Sequence, residues 1–130
     1  MQASSSEELD AAFEQMARHP IGGLVLTGDP FFNSRFEQIA ALALRNGLPS
    51  IYPAESYPAA GGLMSYAGNA SEAYRQAGIY TGRILRGEKL ANLPVQQVTK
   101  VELIINLKVA KALGISLPLA LLGRADQIIE

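Results

Sequence analysis

The segment Gly22–Asn33, GGLVLTGDPFFN, limits what this chain can fold into more than any other stretch. An apolar run from Leu24 to Leu26 meets a turn at residues 27–30, and a helical pattern begins close after it. An apolar strand, a loop and a helix make the βα half of a βαβ unit. Because ligands of open α/β sheets bind at loops that follow the carboxyl ends of strands, this loop is a candidate binding loop.

The remaining sequence alternates between helical and strand patterns in the order α-β-α-β-β-α-β-α-α. Strands are predicted at 23–26, 48–52, 63–66 and 95–105, and helices at 4–19, 33–46, 71–86, 107–113 and 119–129. Ser4 and Glu7 have capping-box spacing at the first helix. This order predicts the α/β class, with a three-layer helix-sheet-helix arrangement and a mostly parallel sheet.

Composition excludes several classes of function. The chain of 130 residues is sufficient for one domain, and it contains no cysteine, so a disulfide, a thiolate metal site and a thiol nucleophile are all excluded. The net charge of −1 gives no electrostatic reason to expect nucleic acid as a partner. The N-terminus, Met1–Glu8, is polar and acidic, which is not the pattern of a signal peptide. Nucleotide-binding loops, zinc motifs and nucleophile elbows are missing from the sequence, and we expect no cofactor and no metal.

Two carboxylates, Asp29 and Glu55, lie on loops after adjacent predicted strands. They could act as an acid/base pair, or they could hold the ammonium group of an amine ligand. Alternatively, Asp29 forms an Asx turn and Glu55 is a solvated loop residue. Asn33 adds an amide to the first loop.

Aromatic residues surround these carboxylates in the sequence. Phe31 and Phe32 offer flat apolar faces, and we expect at least one of them to lie in the core. Tyr57 and Tyr66 combine an apolar ring with a hydroxyl, which suits a pocket for a small amphipathic molecule. The glycine pair at 61–62 permits close backbone approach by a ligand or by another segment.

The segment Ala54–Gly68, AESYPAAGGLMSYAG, resembles the "E…AGGL(M/A)SYG" segment of the ABC transporter substrate-binding protein family. LTGDPFF resembles the "LPDPFF" loop of that family, with Thr27 and Gly28 in place of Leu-Pro. The resemblance continues through four further segments, AYRQAG, ILRGEKLANLPVQQ, KVELIINLKVAKALG and the terminal RADQIIE. It therefore extends over essentially the whole chain.

The resemblance implies a type I periplasmic-binding fold, in which two α/β lobes joined by a hinge close on a ligand. It implies that this chain is a single α/β domain, with 1–62 forming most of a C-terminal lobe and 63–130 crossing back towards the other lobe. By motif, Asp29 and Glu55 match positions whose loops face the cleft. Further positions with expected cleft, hinge or ligand contacts are Phe31, Phe32, Asn33, Tyr57, Ser65 and Tyr66.

The sequence thus predicts the ligand-recognition part of an ABC-importer receptor, which binds a small organic solute, with an amino acid as one possible ligand, and performs no catalysis. The expected partners are that solute and the permease of the parent receptor, and the expected location is periplasmic or lipid-anchored outside the cytoplasm. One alternative is a small α/β enzyme that uses Asp29 and Glu55. Another is a truncated domain that forms a homodimer through the surface that the absent lobe would cover.

Overall fold

A computed structural model describes residues 3–95 and 100–130. The strands are β1 (Leu24–Val25), β2 (Ser50–Tyr52), β3 (Met64–Gly68), β4 (Val101–Asn106) and β5 (Gln127–Ile129). The helices are α1 (Ser6–Ala17), α2 (Pro30–Ser34), α3 (Phe36–Arg45), α4 (Ser56–Ala59), α5 (Ala70–Leu85), α6 (Leu107–Ala112) and α7 (Leu119–Leu122), with a short 3-10 helix at Leu90–Asn92. None of the helices in the described ranges has the length and apolar character that crossing a membrane requires.

The five strands form one sheet in the order β1-β2-β3-β4-β5. The pairs β1–β2, β2–β3 and β4–β5 are parallel. The predicted α/β class with a mostly parallel sheet is confirmed. Because β1, β2 and β3 run in the same direction, the loops that follow them leave the sheet at one edge, where ligands of such folds bind.

The core consists of two apolar clusters. The first joins α1, α3 and α4 to the β1–β2 end of the sheet through Leu9, Phe13, Ile39, Leu42, Leu48, Tyr52 and Tyr57. The second packs α6 against the start of β3 through Leu63, Val109 and Ala110. Residues 103–106 of β4 are all buried. Since successive side chains of a strand point to opposite faces, both faces of β4 are covered.

The chain divides into two compact units. The first unit comprises Met1–Ala67 and Glu102–Glu130 and contains nearly all of the sheet. The second comprises Gly68–Val101 and consists mainly of α5 and the 3-10 helix. The predicted division into a lobe at 1–62 and crossing segments at 63–130 stays a prediction.

The prediction of a final helix from Leu119 to Ile129 is wrong. Helix α7 ends at Leu122, and β5 then pairs in parallel with β4, with Ile105 opposite Ile128. The Asp126 carboxylate accepts a hydrogen bond from the backbone N–H of Leu103 at 2.9 Å. The edge of β4 provides a pairing partner that local helix propensity does not take into account.

The predicted strand 95–105 is confirmed only in its second half. Residues 96–99 of that prediction lie outside the described residues, and Val95 lies outside β4. Residues 103–106 are buried without interruption, so this strand lacks the alternation of buried and exposed side chains of a half-buried strand. The first helix is capped one residue later than predicted. The Ser5 hydroxyl accepts a hydrogen bond from the Glu8 N–H, and the Glu8 carboxylate accepts one from the Ser4 N–H.

Candidate functional site

The loop after β1 is shaped by Asp29. The sequence predicts one helix from Asn33 to Asn46, but a separate short helix, α2, begins at Pro30 and ends before Arg35. Asp29 is its N-cap, because one carboxylate oxygen accepts a hydrogen bond from the Phe31 N–H at 2.8 Å. Proline at the first helical position has the backbone angle that a helix start requires, so Asp-Pro fixes this turn locally. The proposed Asx role of Asp29 is therefore present, and its side chain remains exposed.

A cavity of about 700 Å³ opens beside this cap. One part of its wall follows β1 and includes Thr27, Gly28, Asp29 and Phe32, and the other belongs to the start of α1 and includes Ala3, Ser4 and Glu8. The Glu8 carboxylate accepts hydrogen bonds from the Ser4 N–H at 2.7 Å and from the Ser4 hydroxyl at 2.8 Å. These bonds lower the pKa of Glu8. Two carboxylates in the wall of one cavity favour a ligand with a cationic group.

An aromatic stack lies next to the loop after β2. The rings of Tyr52 and Tyr57 are nearly parallel, with centroids 4.5 Å apart, and Phe36 packs its ring edgewise to Tyr57 at 6.1 Å. Both tyrosines are at most 1 % exposed. Such stacks contribute about 0.5–1.5 kcal/mol beyond the apolar area they bury. The stack therefore fixes the end of β2 against α4.

Gly62 completes this packing. A Cβ placed on Gly62 would lie 2.6 Å from Cε2 of Tyr52 and 2.9 Å from the backbone oxygen of Tyr57. The Gly62 N–H donates to that same oxygen at 2.7 Å. The close backbone approach that the glycine pair permits is thus made by the protein's own Tyr52 and Tyr57.

The hydroxyl of Tyr57 connects the stack to the segment after β1. It donates a hydrogen bond to Oδ1 of Asn33 at 3.5 Å. Burial, with smaller contributions from Tyr52 and from the Asp29 carboxylate, raises the pKa of Tyr57 to about 12. A phenol with this pKa is protonated at neutral pH, so it acts as a donor.

The hydroxyl of Tyr52 differs from that of Tyr57. It is buried and has no hydrogen-bond partner among the described residues. The nearby Ser50 hydroxyl donates instead to the Leu48 carbonyl at 2.8 Å. Burial raises the pKa of Tyr52, and the proximity of Ser50 only partly opposes that rise. The two stacked tyrosines therefore differ in their hydroxyl bonding, which makes them a natural pair for comparison.

The remaining predicted site residues are placed as follows. Phe31 and Phe32 are half-buried with ring centroids 5.8 Å apart, and both pack against the first core cluster. Glu55 is exposed at the start of α4 and does not line the 700 Å³ cavity, whose second carboxylate is that of Glu8. Ser65 is buried opposite Tyr52 in the sheet, and Tyr66, next to it, is 61 % exposed.

Of the predicted site residues, Asp29 and Phe32 line the 700 Å³ cavity, and a hydrogen bond joins Tyr57 to Asn33. The other predicted residues are not among those that line this cavity, namely Phe31, Asn33, Glu55, Tyr57, Ser65 and Tyr66. Sequence reasoning missed Ser4 and Glu8, which form part of the cavity wall. The sequence predicts a polar helix start at these residues, but nothing in it shows that α1 begins beside the loop after β1. Within the described ranges, no group of three or more His, Asp or Glu residues could hold a metal ion.

Comparison with known proteins gives a consistent result. A sequence model of the family described as ABC transporter substrate binding protein matches residues 1–129. No curated protein matches the chain. A solved conserved domain protein from Vibrio cholerae O1 biovar El Tor is similar with a TM-score of 0.85 and 26 % identity, over 98 % of this chain and 43 % of that one.

Two further solved structures share the fold. One is an ABC domain in complex with L-Trp from Streptococcus pneumoniae, with a TM-score of 0.83 and 24 % identity, over 98 % of this chain and 44 % of that one. The other is a ligand-free, open substrate binding protein with adhesive properties from Clostridium difficile, with a TM-score of 0.68 and 21 % identity, over 98 % and 42 %. The chain therefore spans less than half the length of each of these proteins.

Proposed function

This chain belongs to the ABC transporter substrate binding protein family, and on that premise we propose that it forms one part of a receptor for a small organic solute. The family match over residues 1–129 carries this proposal. The position of the 700 Å³ cavity after β1 supports it, because ligands of parallel sheets bind at that edge. We propose an amino acid as the solute class, since the wall offers carboxylates beside an aromatic ring.

In this proposal the residues of the loop after β1 have separate roles. One Asp29 oxygen caps α2, and the other binds the ligand ammonium. Phe32 in the cavity wall contacts the apolar part of the solute. We propose that Glu55 contributes from the loop after β2, and Ser65 and Tyr66 from β3.

The other half of the binding cleft is proposed to come from polypeptide beyond this chain, since the solved relatives are more than twice as long. The receptor would act outside the cytoplasm, in the periplasm or on a lipid anchor, and would deliver solute to an ABC permease without catalysis. The competing acid/base hypothesis requires Asp29 and Glu55 to share a site. In the described residues the carboxylate that shares the cavity with Asp29 is Glu8.

Binding of L-Trp tests this proposal directly. The chain contains no Trp, so the fluorescence anisotropy of the ligand itself reports binding. The titration uses the chain alone and the longest natural polypeptide that contains it, and a panel of amino acids and other small organic solutes competes for the site. If the longest polypeptide binds none of these solutes, the proposal is wrong.

Charge variants then identify the site. Asp29→Asn retains a good N-cap and removes the charge, so it separates ligand binding from folding. We expect it to weaken binding of a solute with an ammonium group by about tenfold or more, as for loss of a charged hydrogen bond. Glu14→Gln, which removes an exposed carboxylate of α1 outside the cavity wall, is the matched control and should leave binding unchanged.

Helix α5 supports self-association as a second property of this chain. None of its 16 residues is buried, and Tyr74 and Leu85 are 79 % and 81 % exposed. These two side chains are eleven residues apart, about three helical turns, so they lie on one face. We propose that these exposed apolar side chains contribute to an interaction surface between copies of the chain. Light scattering should detect a dimer, and Leu85→Gln should weaken it. A chain that stays strictly monomeric at high concentration would show that self-association is wrong.

A further inference from the structure

We propose that an apolar cavity between α1 and β1 is a second subsite, which takes a large apolar group of the solute while the neighbouring 700 Å³ cavity takes its cationic group. The ligand class is then an amine with an aromatic or branched apolar substituent, and solutes with a small or polar substituent bind weakly. This inference rests on the proposed function and deepens it by adding a site and a selection by size.

The apolar cavity has a volume of about 320 Å³. Among the described residues, all that line it are apolar except Thr27. Phe13 and Ile39, which belong to the first core cluster, are at most 3 % exposed, whereas Val25 on β1 is 76 % exposed. The cavity wall therefore extends from the core to the surface, beside the end strand of the described sheet.

The size and lining of this cavity suit an apolar group. Atoms that line an unfilled apolar cavity lack dispersion contacts on one side, so an apolar group that enters restores them. A cavity of about 150 Å³ lined by Leu, Ile and Phe stays dry and binds benzene. The cavity between α1 and β1 has about twice that volume, and Leu9, Phe13 and Ile39 are in its wall. A ring such as indole, or a branched alkyl group, therefore fits it.

The two cavities adjoin each other. Ala3, Thr27 and Phe32 lie in the walls of both. The 700 Å³ cavity has the carboxylates of Asp29 and Glu8, whereas no charged residue in the described ranges lines the apolar cavity. One molecule with a cationic group and a large apolar group can therefore occupy both. This continuity favours the solute as occupant over a strand added at the edge of β1, because backbone pairing would not involve the carboxylates.

Two neighbouring alanines of α1 provide a matched pair of variants. Ala12 lines the apolar cavity, and the exposed Ala11 does not. Ala12→Leu places a larger apolar side chain at the cavity wall, and Ala11→Leu makes the same change on the surface of the same helix. Leucine and alanine are both good helix formers, so α1 is retained in both variants. The protein is the longest natural polypeptide that contains this chain.

The first measurement compares L-Trp with L-Ala, which has the same charged groups and only a methyl side chain. We expect wild type to bind L-Trp at least tenfold more tightly, and Ala12→Leu to weaken L-Trp about tenfold without a change for L-Ala, as for small changes of volume in an apolar pocket. Ala11→Leu should leave both affinities unchanged. Equal wild-type affinities, or equal losses for both solutes or in both variants, would overturn the inference, while the proposed solute-binding function would stand.

The second measurement needs no variant and uses indole, which is the apolar group of L-Trp without its charges. In NMR spectra of methyl-labelled methionine, indole should shift Met16, which lines the cavity, and leave Met64, which packs against the second core cluster, in place. No shift of Met16, or equal shifts of both methionines, would overturn the inference. If wild type binds neither amino acid, the proposed function fails, and a Met16 shift would still support a site for apolar groups.

The same spectra separate the solute from other occupants of the cavity. A Met16 shift in the 130-residue chain that is missing in the longest polypeptide would overturn the inference, because another part of that polypeptide would then fill the cavity. Loss of the shift at high protein concentration would also overturn it, with a second copy of the chain as the occupant. A shift that persists in both proteins and at all concentrations is the expected result.

Discussion

Replacement of Gly62 by alanine is the perturbation with the clearest expected outcome. The added methyl would lie 2.6 Å from the Tyr52 ring and 2.9 Å from the Tyr57 backbone oxygen. Favourable carbon contacts lie at about 3.5–4.0 Å, so both atoms would have to move. Neither can move easily, because the Tyr52 ring stacks on Tyr57 and the backbone oxygen of Tyr57 accepts a hydrogen bond from the Gly62 N–H.

The expected cost follows from two opposing effects. Overpacking of a well-packed core destabilises by about 1–3 kcal/mol. Alanine also restricts the unfolded chain, which returns about 0.4–1 kcal/mol. We therefore expect Gly62→Ala to lower the free energy of unfolding by about 1–2 kcal/mol. The displaced Tyr57 should also weaken its hydrogen bond to Asn33.

Urea unfolding followed by far-UV circular dichroism measures this effect. Gly22→Ala is the control, because a Cβ on Gly22 meets no atom within 4 Å and the residue belongs to the same compact unit. The control should be as stable as wild type or slightly more stable. A Gly62→Ala protein that unfolds at the wild-type urea concentration would refute the packing argument.

Three further predictions follow from the same structure. Gly78→Ala in α5, where a Cβ meets nothing within 4 Å, should stabilise the helix by about 0.5–1 kcal/mol in urea unfolding, and a loss of stability would contradict its open surroundings. Asp29→Ala should lower the free energy of unfolding by about 1 kcal/mol and Asp29→Asn by nearly nothing, and equal losses would argue against the cap. The pKa of Tyr57 is raised from 10.0 to about 12 on folding, so the associated stability is complete below pH 10 and is lost as the pH rises towards 12. Tyr57→Phe should make the free energy of unfolding depend less on pH across this range, and an unchanged pH dependence would contradict the burial of the phenol.

Much of the fold and some of the site could be predicted from local patterns. Eight of the nine predicted elements correspond to helices or strands of the structure, because they follow from apolar periodicity. The prediction missed the separate helix α2, which begins at Pro30, and the short helix α4. The end of the chain could not be predicted in this way. Gln127–Ile129 is a strand because its backbone pairs with that of β4, which lies more than twenty residues earlier in the sequence.

The sequence by itself determined the family, the α/β class and the loop that carries Asp29 and Asn33, because these depend on residue types at short spacing. Only the tertiary structure decided what surrounds that loop. It brought Glu8 of α1 to the cavity wall, and it buried Tyr57 in the core with its hydroxyl donating to Asn33. Such contacts depend on how distant elements pack, and the free energy of packing is shared among residues that no local pattern connects.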